Sequence, residues 1–171
     1  MSEPTIRPAE AADVPALADL ARRTWADAFG ASVSEDERDA ELEATRSESY
    51  FREALERRNV LVAEAGGRLV GYAELGDVDI PEVEPAPGDG QLHRVYVETA
   101  LQGRGLGGLL TLAALEHPRL VGAGRVYLQV WEANERAVRL YESLGFRVAG
   151  TTRFTIGSGE PVEDLVMVLQ R

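Results

Sequence analysis

The sequence predicts an α/β (α+β) fold: a mixed, largely antiparallel central sheet of about seven strands with four helices. Three observations predict it. Strand-period and helix-period apolar segments follow one another in the order β-α-α-β-β-β-α-β-α-β-β. Gly66-Gly67 lies between two apolar runs, a two-residue hairpin signal that makes its flanking strands antiparallel neighbours. The segment from Leu92 to Trp131 instead carries a helix between two strands, so those two strands are expected to pair in parallel. A ligand crevice is expected beyond the ends of that parallel pair.

Taken in order, Thr5-Ile6-Arg7 is a short first strand ended by Pro8. Asp13 is the expected N-cap of the first helix, with Pro15 in its first turn. Val14, Leu17, Ala18, Ala21, Trp25 and Ala28 then recur at helical spacing as far as Phe29-Gly30. Ser34 to Arg58 is a charged helical region expected to break near Thr45–Ser47, where Ser47-Glu48-Ser49 recaps it. Asn59–Ala65 and Arg68–Leu75 form the hairpin. Gly76 to Gly90, rich in Pro, Gly, Asp and Glu and without a basic residue, is expected as an exposed acidic loop. Leu92–Val97 is the central strand, and a helix runs from about Gly105 to Glu116 until Pro118 distorts or ends it. Arg125–Trp131 is a buried strand. Asn134 caps a helix over Glu135–Ser143, and Gly145 suits the left-handed position after it. A strand from Phe146 to Ile156 turns at Gly157-Ser158-Gly159 and returns as Val162–Leu169. No internal repeat or linker divides the chain, so one domain over residues 1–171 is expected.

Composition excludes several functions. A net charge of −11 argues against a nucleic-acid partner, because a phosphate backbone needs a basic face. It suits a cationic small-molecule substrate. All 18 basic residues are arginine. With no cysteine there is no disulfide, zinc–thiolate site or cysteine nucleophile. Two histidines, His93 and His117, give no cluster for a metal. No apolar run reaches membrane-spanning length and the N-terminus lacks a secretory pattern, so a cytoplasmic protein is expected.

The most informative stretch is Gln102-Gly103-Arg104-Gly105-Leu106-Gly107-Gly108, where the central strand hands over to a helix. Glycines there bring backbone N–H groups close to a ligand, and the first N–H groups of a helix have no internal acceptor. With the helix dipole added, an anion such as a phosphate is the natural guest, and Arg104 can add a full charge. A tight turn with close helix–strand packing is the plainer alternative.

Two motifs then carry a resemblance. Gln102-x-x-Gly105-x-Gly107 after its strand, and Asn134-x-x-Ala137-x-x-x-Tyr141-x-x-x-Gly145-Phe146 downstream, together resemble the GNAT superfamily of acetyl-CoA-dependent N-acetyltransferases over essentially the whole chain. The resemblance implies acetyl-CoA as co-substrate, with no metal. Its pantetheine arm and acetyl carbonyl would lie along the backbone of Val95, Tyr96 and Val97. Its pyrophosphate would lie on the turn of Gln102, Gly103, Arg104, Gly105, Leu106, Gly107 and Gly108, and Asn134 would touch the pantetheine side. Tyr141 falls where the family keeps the general acid for the departing thiolate. A phenol of pKa ~10 can do this work, although packing on Leu140, Leu144 and Phe146 would also explain it.

The expected base positions depart from the family. N-terminal-alanine acetyltransferases of ribosomal proteins, which this chain resembles around Tyr141–Phe146, use a Glu where Gln129 stands, and Gln91 replaces another frequent Glu. His93 is the remaining titratable candidate nearby; deprotonation through ordered water is the alternative. Thr24-Trp25, Val130-Trp131-Glu-Ala-Asn134 and Phe154-x-x-Gly157 with Glu163-Asp164-Leu-Val-Met167 look more narrowly like PaiA-type polyamine acetyltransferases. The expected activity is direct acetyl transfer to a primary amine, a polyamine or another small amine. A protein N-terminal acetyltransferase and a non-catalytic acyl-CoA-binding module are the alternatives. Dimers are frequent in the family, so a homodimer is one expected assembly.

Overall fold

The computed structural model describes residues 3–57, 59–155 and 157–171. The expected ends at Arg58 and Ile156 lie outside those residues. The strands are β1 (Thr5–Pro8), β2 (Asn59–Ala65), β3 (Arg68–Gly76), β4 (Gly90–Val97), β5 (Arg125–Trp131), β6 (Arg147–Phe154) and β7 (Val162–Gln170). The helices are α1 (Val14–Phe29), α2 (Glu35–Arg46), α3 (Glu48–Arg57), α4 (Leu106–Glu116), the short α5 (Pro118–Val121) and α6 (Glu135–Ser143). The strands form one sheet in the order β1-β2-β3-β4-β5-β7-β6, antiparallel throughout except for β4 and β5. This is the expected mixed, largely antiparallel sheet, with its parallel pair where the strand–helix–strand passage put it.

Local chemistry accounts for most boundaries. Gly66 and Gly67 have φ of 60° and 75° and turn β2 into β3, the pair of left-handed residues that a two-residue hairpin needs. Ser34 and Glu37 complete a capping box on α2, Ser34 Oγ accepting from Glu37 N at 3.3 Å and Ser34 N donating to Glu37 Oε2 at 3.1 Å. The expected break separates α2 from α3, and Ser47 Oγ accepts from Tyr50 N at 3.2 Å to start the second helix.

Asp13 corrects one expectation. It adjoins α1, but its carboxylate does not cap that helix. It accepts instead from Glu10 N at 2.8 Å and from both terminal nitrogens of Arg7 at 2.7 and 2.9 Å. A bidentate, charge-assisted pair outweighs a single cap bond, and a short 3-10 turn at Ala11–Asp13 results.

The sheet separates two layers. α4, with Tyr141, Ala137 and Val138 of α6, covers one face over Leu75, Leu92, Val97, Val126, Leu128 and Met167. On the other face, α1 and α3 cover Val60, Val62 and Tyr72 at the β1–β3 end. The segment between β3 and β4 covers Tyr127 and Val166 at the opposite end of that face. This segment is the predicted acidic loop, and it is only partly exposed. Ile80 is buried against Tyr127 and Val166, and Asp89 is buried in an ion pair with Arg125 at 2.6 Å. Among the described residues no helix is long and apolar enough to cross a membrane.

Candidate active site

The parallel pairing of β4 with β5 is short. It joins Gly90 to Val126, Gln91 to Tyr127 and Leu92 to Leu128. Past Leu92 the two strands part, while β4 continues beside β3 to Val97 and β5 beside β7 to Trp131. The result is a wedge between His93–Val97 and Gln129–Trp131. Glu98 N donates to Val70 O at 3.0 Å, so residues of β4 alternate from there toward and away from β3. By that alternation the N–H and C=O of Val95 and Val97 face the wedge, and those of Tyr96 face β3. Gln102 Nε2 donates to Val97 O at 3.2 Å and ties the following turn to the end of the strand.

The glycine turn opens beyond the wedge. Gly103 and Gly105 hold φ of 80° and 84°, and Gly105 is the residue on which α4 starts. The first helical bond runs from Leu109 N to Gly105 O at 3.0 Å. The N–H groups of Leu106, Gly107 and Gly108 therefore point outward with no acceptor among the described residues. A Cβ added at Gly105 or Gly107 would meet no protein atom within 4 Å. Packing does not require a glycine at Gly107. Arg136 of α6 adds a feature that sequence reasoning missed. Its guanidinium lies 3.7 Å from the place a Cβ on Gly103 would occupy. Among the described residues neither Arg104 nor Arg136 has an ion-pair partner. Free N–H groups, open space and two uncommitted cations suit a diphosphate.

Asn134 and Tyr141 belong to α6, the first as its N-cap and the second as its buried residue. Asn134 Oδ1 accepts from Ala137 N at 3.2 Å, so it caps the helix as expected. Tyr141 is buried in the core cluster under α4, its ring edge-on to Phe146 at 5.8 Å. Burial, with a smaller contribution from Tyr96, pushes its phenol up to about 12.

The opposite mouth of the wedge carries the polar groups. Between the pairs Glu74–Arg94 and Leu75–Leu92 the register slips, leaving His93 as the extra residue of a β-bulge. His93 is also the first residue of β4 beyond its pairing with β5. Its side chain is 5 % exposed, its Nδ1 is 3.4 Å from Asp79 Oδ1, and its Nε2 is buried without a hydrogen-bond partner among the described residues. Gln91 is fully buried and accepts from Asp79 N at 2.8 Å. Gln129 is exposed on the other wall.

Two further groups were not legible from motifs. Asp164 of β7, in register with Trp131 and Thr152, has one buried carboxylate oxygen without a hydrogen-bond partner among the described residues. Burial pushes it up to about 6. Arg46 of α2 is buried over the rings of Trp25 and Tyr96, 5.5 and 5.8 Å from their centroids. Beside it, buried Glu74 accepts from Tyr50 Oη at 2.8 Å and from Arg94 at 3.2 Å. Ser158 N donates to Glu37 Oε1 at 2.6 Å, joining the β6–β7 turn to α2 across this face. A surface hollow of about 480 Å³ opens at the same end beside Trp131, Glu132 and Glu163. Among the described residues no group of His, Asp or Glu forms a metal cluster.

Comparison with known proteins agrees with this geometry. The Acetyltransferase (GNAT) family model matches residues 16–146. An uncharacterized N-acetyltransferase of Mycobacterium bovis is 34% identical over 158 residues, covering 91% of this chain and 96% of that protein. A mycothiol acetyltransferase of Thermomonospora curvata is 41% identical over 106 residues, which span 62% of this chain and 32% of that longer protein. The PaiA N-acetyltransferase of Thermoplasma acidophilum, solved in complex with coenzyme A, shares the fold with a TM-score of 0.78 at 22% identity, covering 99% of this chain and 100% of that one. The acetyltransferase yncA of Salmonella typhimurium, solved with acetyl-CoA, matches with a TM-score of 0.71 at 28% identity, covering 99% and 94%.

Proposed function

The chain belongs to the GNAT family of acetyl-CoA-dependent N-acetyltransferases, and from that membership we propose that it transfers acetyl directly to a small primary amine. In this reading His93 is the base and Tyr141 the acid. The observation that carries it is the wedge between β4 and β5, which opens beside an anion-ready glycine turn and has His93, 3.4 Å from Asp79, at the point where the strands part.

Leu106, Gly107 and Gly108 would hold the pyrophosphate of acetyl-CoA through their free N–H groups, with Arg104 and Arg136 neutralising its charge. Acetyl-CoA supplies an activated thioester. Val95 and Val97 offer backbone N–H to the carbonyl oxygen as it gains charge. His93 Nε2 takes one proton from the acceptor ammonium, so that a neutral amine forms the C–N bond. Tyr141 gives its proton to the sulfur as the C–S bond breaks. The second proton lost by the acceptor nitrogen restores the phenol, and His93 releases the net proton to solvent. The raised phenol stays protonated across the neutral range. A thiolate in the same low-dielectric site is raised with it, which keeps the transfer feasible.

The acceptor class is a cationic amine, polyamines included. Asp79, Asp164 and the net charge of −11 support it. Thiol release with acetyl-CoA, measured against polyamines, other small amines and peptides, tests the reading. Turnover on a small amine is expected. Turnover on peptide N-termini alone would favour protein acetylation, and acetyl-CoA binding without turnover would leave a binding module. Tyr141→Phe keeps the contact with Phe146 and is expected to lower kcat roughly 10- to 100-fold with acetyl-CoA affinity unchanged.

A further inference from the structure

We propose that Asp79 is a positioning residue for His93: it fixes the imidazole with its proton on Nδ1, so that the buried Nε2 presents a lone pair to the acceptor amine. The inference rests on the reading of His93 as base and gives that base a tautomer and an orientation.

Three observations carry it. Asp79 Oδ1 lies 3.4 Å from His93 Nδ1, a separation common in catalytic pairs before substrate tightens them. Asp79 is itself held in place. Gln91 Oε1 accepts from its backbone N–H at 2.8 Å, and the next side chain, Ile80, is buried against Tyr127 and Val166. The third is His93 Nε2, buried and without a hydrogen-bond partner among the described residues. A ring nitrogen facing a carboxylate carries the proton, which leaves the other as the acceptor. A buried acceptor with nothing to accept from is unfavourable unless a donor arrives. In the reading of His93 as base, the incoming amine supplies that donor.

Gln91 has a defined part in this arrangement. Its amide occupies a site fully buried beside Asp79. A carboxylate at that position would set a second negative charge, fully buried, beside Asp79. The neutral amide holds the loop without adding a charge beside the Asp79–His93 pair. The bulge at His93 serves the same end, since it turns the histidine toward Asp79 as β4 leaves β5.

Kinetics of Asp79→Ala, Asp79→Asn, His93→Ala and the double alanine variant test the proposal, with acetyl-CoA and an accepted amine. Asp79→Ala is expected to lower kcat about tenfold or more, with the KM for acetyl-CoA within about twofold. Asp79→Asn, whose Oδ1 still accepts from Nδ1–H, should recover part of that loss. In the His93→Ala background, Asp79→Ala should cost nothing further. Nitrogen-15 spectra give a readout independent of activity. The chain has two histidines, and His117 Nδ1 accepts from Arg119 N at 3.1 Å, so its proton sits on Nε2. At about pH 8.5, above the ordinary histidine range, His93 should show the opposite tautomer, and Asp79→Ala should abolish the difference. Full activity of His93→Ala would remove the base and the proposal with it. A slow His93→Ala, with Asp79→Ala costing the same factor in both backgrounds or leaving the tautomer unchanged, would overturn the positioning role alone.

Discussion

Gly107→Glu separates a glycine kept for ligand approach from one kept for packing, because its effects on stability and on binding run in opposite directions. Gly107 is the second residue of α4, and a Cβ there meets no protein atom within 4 Å. Replacing glycine in a helix gains roughly 0.5–1 kcal/mol. A carboxylate in the first turn adds about 0.3–1 kcal/mol through the helix dipole. The variant should therefore be more stable by about 1 kcal/mol, or roughly 2–4 °C in Tm for a chain of this size. A diphosphate on the same N–H groups would lie roughly 5 Å from the new carboxylate. Each charge pair at that distance costs about 1–3 kcal/mol for an effective dielectric between water and ~20. Coenzyme A should then bind about 30- to 1000-fold more weakly, with part of the loss recovered in high salt. Thermal unfolding and calorimetric titration with coenzyme A measure both. Gly107→Ala shares the stability gain without the charge, and its affinity should stay within several-fold of the parent. Unaltered coenzyme A affinity in Gly107→Glu would refute a diphosphate at this turn. A fall in Tm would refute the open space around Gly107.

Two other outcomes follow from the site. Asp164 is raised to about 6 by burial, so the folded chain holds a proton that the unfolded chain has already lost at about pH 4. Folding is penalised as pH rises from about 4 to 6, and the penalty is complete above that window. Asp164→Asn should stabilise the protein at about pH 8 by roughly 1–2 kcal/mol, after discounting for the carboxylate's partial exposure, and leave its stability near pH 3.5 unchanged; denaturant unfolding at the two pH values checks this. Arg136→Ala should weaken coenzyme A binding about 3- to 10-fold and lower the salt dependence of binding, with kcat retained at saturation. Equal affinity would show that the guanidinium over Gly103 takes no part.

The glycine turn and the capped α6 were legible because each is one continuous stretch of chain: Gln102 to Gly108 leads from β4 into α4, and Asn134 to Phe146 spans α6 with its cap and its closing glycine. Ser34, Ser47 and Gly66-Gly67 fixed element boundaries for the same reason. What escaped depends on residues far apart in the chain. Asp79 meets His93 only because Ile80 packs on β5 and β7. Glu37 reaches Ser158 across 121 residues. Arg136 comes to Gly103 through the docking of α6 on the sheet. The bulge at His93 leaves no mark in the alternation of Leu92, Arg94 and Tyr96. The loop before β4 was misjudged as wholly exposed because its acidic residues outnumber the few apolar ones that anchor it. Ile80 and the buried Asp89–Arg125 pair decide its path.

The two glutamines at expected glutamate positions then take on different meanings. Gln129 is exposed on the wedge wall, where nothing in the fold requires an amide. Gln91 is fully buried, and its oxygen is committed to the backbone of Asp79. Restoring a glutamate at Gln91 would therefore not restore a base. It would bury a second carboxylate beside Asp79, at the cost that unpaired buried charge carries.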